Sequence, residues 1–371
     1  MRKLLRILVL IATISPGAFG PAMVSAQGDP RFIELDAFLA AHPDERRKAA
    51  SFERLVHRLA DPLEKPIKTP VAIHIIYPGL QESDYWRRSV KSFTARMDEI
   101  GIPHKITALF TKSGEDLRLQ EQSIGEVLRE KPDFLIFTLD ALRHKGMISR
   151  VLASGHTKVI LQNITTPLID LGPPPPLLYV GFDHGVGSRL LADEHIKRAG
   201  KNAQYAIFYG PVGYVSEMRG GTFKRYISSR TNYQLAAEYY VGFNREHARK
   251  AALELFRVNK DLDFVFAAST DIAHGITDAL EELGLLGTIR VNGWGGGSSE
   301  LAAIRNREID FTVMRMNDDN GVAMAEAIRM TLEDRIQDIP QIFSGGFSMV
   351  DQTISDETLE TLVDQAFRHS R

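Results

Sequence analysis

Seven short segments hold most of the chemically capable side chains of this 371-residue sequence: YPGLQESDYW (77–86), FTLD (137–140), LQNITTP (161–167), FYGPVGYVSEMRG (208–220), AASTDIAHG (267–275), NGWGGGSS (292–299) and VMRMNDD (313–319). They supply amides, hydroxyls, two arginines and both tryptophans of the chain, Trp86 and Trp294. This set suits a small polyhydroxylated molecule. Amides and guanidinium groups form paired hydrogen bonds with neighbouring hydroxyls. Aromatic faces cover the C–H-rich face of a ring, each contributing about 1 kcal/mol.

The two arginines set tighter terms. Arg219 falls near the start of a helix, where its charge opposes the helix dipole, so a salt bridge or a ligand must hold it. Arg315 ends the apolar run FTVMR, and a buried guanidinium there requires a polar or anionic partner. Asp318 and Asp319 stand close by in sequence, and an anionic ligand is the other choice. Asn163 fits a turn or cap, and Ser269-Thr270-Asp271 reads as a helix N-cap.

VNGWGGGSSE (291–300) has the outline of a phosphate loop. A nucleotide loop, however, follows the first strand of its unit and has a lysine or a ribose-binding acid downstream, and neither is placed here. The glycines are instead expected to make a tight turn at a second crossing between lobes, a hinge in which Trp294 forms an aromatic wall. Catalytic signals are poor. G-x-S-x-G and H-E-x-x-H do not occur, and the eleven histidines are scattered without ligand spacing. With no cysteine, disulfides, thiolate metal sites and cysteine nucleophiles are excluded. No catalytic or metal-binding residue is assigned.

The segments follow apolar strands that alternate with amphipathic helices. VAIHIIYP precedes Trp86, Val90, Phe93, Met97 and Ile100, spaced as one helical face. HKITALFT, FLIFTLD, KVILQNIT, LLYVGFD, YAIFYG, YQLAAEYYVG, DFVFAAST, TIRVNGW, IDFTVMRM and GFSMVDQ continue the series, with helices between them. Apolar strands alternating with helices predict an α/β fold of doubly wound parallel sheets, here two lobes joined by three crossings. Ligands in such sheets sit beyond the carboxyl ends of the strands. The expected division is a signal peptide at 1–26, a helical extension at 27–66, an N-terminal lobe of 67–168 plus 297–340, a C-terminal lobe of 169–296 plus 341–355, and a C-terminal helix at 356–371. Four consecutive prolines in PLIDLGPPPPLLY stiffen the chain and are taken as the first crossing between lobes.

The start of the chain reads as a secretory leader: Arg2, Lys3 and Arg6, then LLRILVLIATI, then a cleavage site after Ala26. Export to the periplasm is expected. Loss of residues 1–26 removes three basic residues and no acidic one, leaving 42 Lys+Arg against 47 Asp+Glu, a net −5. This balance gives no basic stripe for nucleic acid, and no further stretch is long and apolar enough for membrane insertion.

YPGLQESDYW, DFLIFTLDALRHK, VILQNITTP, YVGFDHGVGSR, STDIAHG, NGWGGGSSELAAI and VMRMNDDNGVAMAEAI resemble the ribose-binding-like periplasmic binding proteins, and among them the autoinducer-2 receptors. The resemblance runs from about residue 32 to the C-terminus. It implies a type I periplasmic binding protein that is not an enzyme, closes around its ligand and needs no cofactor. Its ligand would be the furanosyl borate diester of autoinducer-2, so boron would arrive as part of the ligand. Its partner would be a LuxQ-like membrane sensor histidine kinase. Carried over by motif, Gln81, Ser83, Trp86, Asn163, Ser269, Thr270 and Trp294 would contact the ligand. Arg219 and Arg315 would face the borate, and Thr138 and Asp140 are further candidates. The alternative is a sugar-binding protein that delivers a pentose- or hexose-like ligand to an ABC importer.

Overall fold

The structure, a computed structural model, describes residues 32–138, 144–168 and 171–371. The leader expected at 1–26 and the candidate Asp140 lie outside these residues. A helical arm, α1 (Leu35–Ala41) and α2 (Pro43–His57), leads into β1 (Val71–Tyr77), α3 (Tyr85–Ile100), β2 (His104–Phe110), α4 (Leu117–Glu130), β3 (Phe134–Phe137), α5 (His144–Ser154), β4 (Lys158–Gln162) and β5 (Leu178–Gly181). Next come α6 (His184–Ala199), β6 (Gln204–Tyr209), α7 (Tyr214–Ser216), a π-turn (Glu217–Gly221), α8 (Thr222–Arg230), β7 (Gln234–Tyr240) and α9 (Arg245–Val258). They are followed by β8 (Phe264–Ala267), α10 (Thr270–Glu282), β9 (Arg290–Gly295), α11 (Ser298–Arg305), β10 (Phe311–Arg315), α12 (Asp318–Leu332), β11 (Ile342–Ser344), β12 (Phe347–Asp351) and α13 (Asp356–Ala366).

The strands form two six-stranded sheets, ordered β11-β5-β4-β3-β1-β2 and β12-β10-β9-β8-β6-β7. All described pairs are parallel except β10 with β12. Both sheets are doubly wound, as the apolar strands predict. In β3, β5 and β8 every residue is buried, because helices cover both faces. Helix α3 shows how a helix is recruited. Trp86, Phe93, Met97 and Ile100 are buried on one face, and Gly101 at φ 80° ends the helix in the left-handed conformation.

Strand pairing redraws the expected lobe boundaries. β5 belongs to the first sheet and β10 to the second, while the short β11 returns to the first. The proline run 173–176 therefore connects β4 to its neighbour β5 inside one lobe; it is not a crossing. The three crossings follow β5, β10 and β11, and they lie side by side. Met316 N donates to Gly346 O (3.0 Å), Gly345 N to Gly181 O (2.8 Å) and Asp183 N to Ser344 Oγ (3.1 Å). β11 leaves no periodic trace because three residues carry no pattern, and only pairing with β5 defines it. The glycine stretch 293–297 is likewise not a crossing. It turns from β9 into α11 and back to β10, which pairs beside β9.

Candidate functional site

The carboxyl ends of the two sheets face each other across a cleft. Gln81, Ser83, Trp86, Thr138, Asn163, Arg219, Ser269, Thr270, Trp294 and Arg315 all line it, together with Tyr85, Pro78, Val215 and Phe243. Residues up to 237 positions apart in sequence are brought together because they stand at or just beyond the carboxyl ends of strands in the two facing sheets.

One wall comes from the first sheet. The loop after β1 is turned inward by Gln81 Nε2, which donates to Pro78 O at 2.7 Å. Trp86 packs against Tyr77 and Tyr85, with ring centroids 4.8 and 4.7 Å away. Thr138 follows β3. Asn163 follows β4 at φ 65°, a left-handed conformation that asparagine tolerates, and its N–H donates to Val180 O at 2.8 Å. The turn expected at Asn163 is thus present, and it aims the side chain into the cleft. Thr138 Oγ1 and Asn163 Oδ1 are buried without a hydrogen-bond partner.

The second wall carries the arginines. Arg219 lies inside the π-turn, whose extra residue per turn shifts the helix register at a functional position. Its guanidinium lies over the Trp294 ring, with Cζ 3.7 Å from the ring centroid. Nε donates to His184 Nδ1 (3.3 Å) and Nη1 to Ala268 O (2.8 Å). Arg315 ends β10, with Cζ 4.0 Å from the Tyr85 ring centroid, and its Nε has no partner. Each arginine is only 5% exposed. Among the described residues, neither pairs with a carboxylate.

The two acids that follow Arg315 in sequence are committed elsewhere. Asp318 accepts from His369 N (2.7 Å) and Ser370 Oγ (2.6 Å), and Asp319 accepts from Arg368 Nη1 (2.7 Å) and bonds His57 Nε2 (3.2 Å). Burial pushes Arg219 well below its ordinary pKa, with the like charge of Arg315 as the next cause; burial also lowers Arg315. The Glu300 carboxylate favours the charged form of both arginines, and Asp84 that of Arg315, but among the described residues neither cation has a direct ion pair, a costly arrangement that an anion in the cleft would relieve.

Tyr85 and His184 escape a reading of sequence alone. The Tyr85 hydroxyl accepts from Gln162 Nε2 (3.2 Å) and Asn320 Nδ2 (2.8 Å), leaving its own proton uncommitted. Tyr85 stands in the first loop beside Trp86 but has nothing in its spacing to mark it. His184 opens α6, where only the Asp183 N-cap is a local signal.

The glycine stretch serves the same wall. Glu300, fully buried, accepts from Trp294 N (3.0 Å), Gly296 N (2.8 Å) and Thr312 Oγ1 (2.7 Å). An internal carboxylate thus occupies the amides that a phosphate would need, so this is not a phosphate loop. A Cβ on Gly295, at φ 136°, would collide with the Arg315 guanidinium. The glycine makes room for the arginine rather than forming a hinge. Ser269 is the N-cap of α10, accepting from Ile272 N (3.3 Å), as its sequence context predicts.

The cleft is closed. Glu82 N donates to Asp271 Oδ1 (3.1 Å), and Arg245 Nη1 meets Glu82 Oε2 at 3.0 Å. Ser298 Oγ donates to Asp84 Oδ2 at 3.0 Å. Each of these contacts joins one lobe to the other. Among the described residues, no three His, Asp or Glu side chains gather to hold a metal ion, and no helix is long and apolar enough to cross a membrane.

Residues 73–335 match the periplasmic binding protein domain family. The fold is similar to several solved structures. One is an ABC transporter solute-binding protein from Agrobacterium vitis with bound D-fucose (17% identity, TM-score 0.71, covering 78% of this chain and 98% of that one). Another is a periplasmic solute-binding protein from Actinobacillus succinogenes with bound D-allose (18%, 0.66, 76% and 98%). A third is a chain of a XylFII–LytSN complex (17%, 0.65, 77% and 99%). At these identities the likeness concerns the fold.

Proposed function

The chain belongs to the periplasmic binding protein domain family, and from that premise we propose that it is an exported receptor that closes on a small, polyhydroxylated, negatively charged ligand. One observation carries the reading: Arg219 and Arg315 are buried at the cleft with no carboxylate partner among the described residues. A bound anion supplies the missing charge, and it does so in a dry site where such bonds are strongest. Threonine, asparagine and serine side chains around the cations suit hydroxyls, and the two tryptophans suit a ring face.

The D-fucose and D-allose of the neighbouring structures support the sugar-like class. Taken alone, they favour a pentose- or hexose-binding protein that serves an ABC importer. The arginine pair favours a charged member of that class. A neutral sugar would leave both cations without an ion-pair partner, whereas a tetrahedral borate diester offers one negative charge and four oxygens to two guanidinium forks. The finer proposal is therefore an autoinducer-2 receptor of the LuxP kind, signalling to a LuxQ-like sensor kinase in quorum sensing. The XylFII–LytSN complex is a precedent for a protein partner on this fold. Either role is binding rather than catalysis.

Calorimetry decides between the two. The protein is titrated with autoinducer-2 precursor with and without borate, and with ribose and galactose. Borate-dependent binding, with boron retained in the loaded protein by elemental analysis, is the expected result. Tight ribose or galactose binding without any borate effect would overturn the charged-ligand reading and leave the importer alternative.

A further inference from the structure

His184 is the second residue after Phe182, at the first crossing between lobes, and is 1% exposed. It reaches both walls of the cleft. Its Nε2 lies 3.2 Å from the carbonyl oxygen of Asn163, which can only accept, so Nε2 carries the proton. Its Nδ1 is then a bare acceptor, and it receives Arg219 Nε at 3.3 Å. Burial, with the charge of Arg219 next, pushes the imidazole well below its ordinary pKa, so the ring stays neutral in this one tautomer. The ring also packs on Trp294 and Tyr214, with centroids 5.3 and 5.9 Å away.

The consequence falls on Arg219. With Nε held by His184 and Nη1 by Ala268 O, the Nη2 edge of the fork remains for the cleft, and Cζ sits over the Trp294 ring. Without the Nε acceptor, the guanidinium keeps Ala268 O and the Trp294 face but loses one of the two hydrogen bonds that orient its Nη2 edge. We propose that His184 is a positioning residue that sets the preference of the cleft for an anionic ligand over a neutral one, by orienting Arg219 from the crossing between lobes. This rests on the charged-ligand reading above.

Three variants separate the role from mere packing. In His184→Asn, Oδ1 takes the place of Nδ1 and still accepts from Arg219. His184→Gln puts its polar group out at the Nε2 position, near Asn163 O, and offers nothing to Arg219. His184→Phe keeps the ring and removes both bonds. The readout is the ratio of affinities for autoinducer-2 precursor with and without borate. His184→Phe and His184→Gln are expected to lower that ratio about tenfold, the worth of one hydrogen bond to a charged group, while His184→Asn stays within about threefold of the parent. A structural role would weaken both ligand forms together. Equal ratios in His184→Asn and His184→Gln would overturn the proposal, and this comparison holds even if the phenylalanine variant does not fold. Nitrogen NMR of the parent protein gives a second, ligand-independent arm. A bare Nδ1 and a protonated Nε2 are expected; the opposite tautomer would overturn the proposal. If the parent protein shows no borate preference at all, the charged-ligand reading fails, while the tautomer still reports whether His184 can hold Arg219.

Discussion

Arg315→Met removes one of two buried cations and keeps most of the side-chain volume. The Cζ atoms of Arg219 and Arg315 lie 3.7 and 5.8 Å from the Trp294 ring. That keeps them within about 10 Å of each other, and at an effective dielectric of about 20 their repulsion is at least about 1.5 kcal/mol. Both arginines stand on the second lobe, so closure without ligand does not bring them together; it removes the water that screens this repulsion and desolvates both charges. Methionine relieves both terms, at the cost of a cation–π contact with Tyr85 worth about 1 kcal/mol. The ligand-free variant should therefore close more readily than its parent: the loss of water screening alone, from a dielectric of about 80 to about 20, is about 1.2 kcal/mol, or roughly eightfold in the closed-to-open ratio before the Tyr85 contact is deducted, and the relieved desolvation adds to it. Binding moves the other way. A guanidinium about 4 Å from an anionic oxygen contributes up to about 4 kcal/mol at that dielectric, so affinity for the borate complex should fall by about two to three orders of magnitude. Interlobe fluorescence transfer reads the first effect and calorimetry the second. A variant that stays as open as its parent without ligand, or that binds the borate complex with unchanged affinity, would refute the view that these cations await an anion.

Gly295→Val should cost borate-complex affinity at least as much as Arg315→Met, because its Cβ takes the place of the Arg315 guanidinium. Closure on a neutral ligand should survive, whereas a hinge defect would slow closure on both. The Arg245–Glu82 bridge joins the lobes at about 40% exposure. Glu82→Gln should therefore weaken binding by no more than about 1 kcal/mol, mostly through faster release in stopped flow, with the difference shrinking at high salt. His57 is held above its ordinary 6.5 mainly by its bond to Asp319. Its contribution to stability is full below about pH 6.5 and is lost as pH rises through the raised folded value. Thermal melts of His57→Gln should fall short of the parent at pH 5.5 and meet it at pH 8.5.

Much of the site was legible before any fold was known. The β-α alternation points to strand ends, and the unusual residues gather there: both tryptophans, Arg219 and Arg315. Local chemistry was enough for the Ser269 cap and the Asn163 turn, because each depends on its own backbone and the next few residues. Lobe membership was not legible. β10 and β11 are set by which sheet edge accepts them, and nothing within a three- or five-residue strand names its partner. The proline run misled because stiffness looks the same inside a lobe as between lobes.

The sequence by itself determined the doubly wound architecture and the inventory of the cleft, since periodicity and strand-end placement are properties of short stretches. Only the tertiary structure decided how that inventory is spent. It sends Asp318 and Asp319 to the C-terminal segment and leaves Arg315 without an ion pair among the described residues. It also puts the Glu300 carboxylate into the glycine amides, so that VNGWGGGSSE packs against an arginine and binds no phosphate. Charge pairing is a contest among all groups brought within a few ångströms, and distance along the chain does not record which of them arrive.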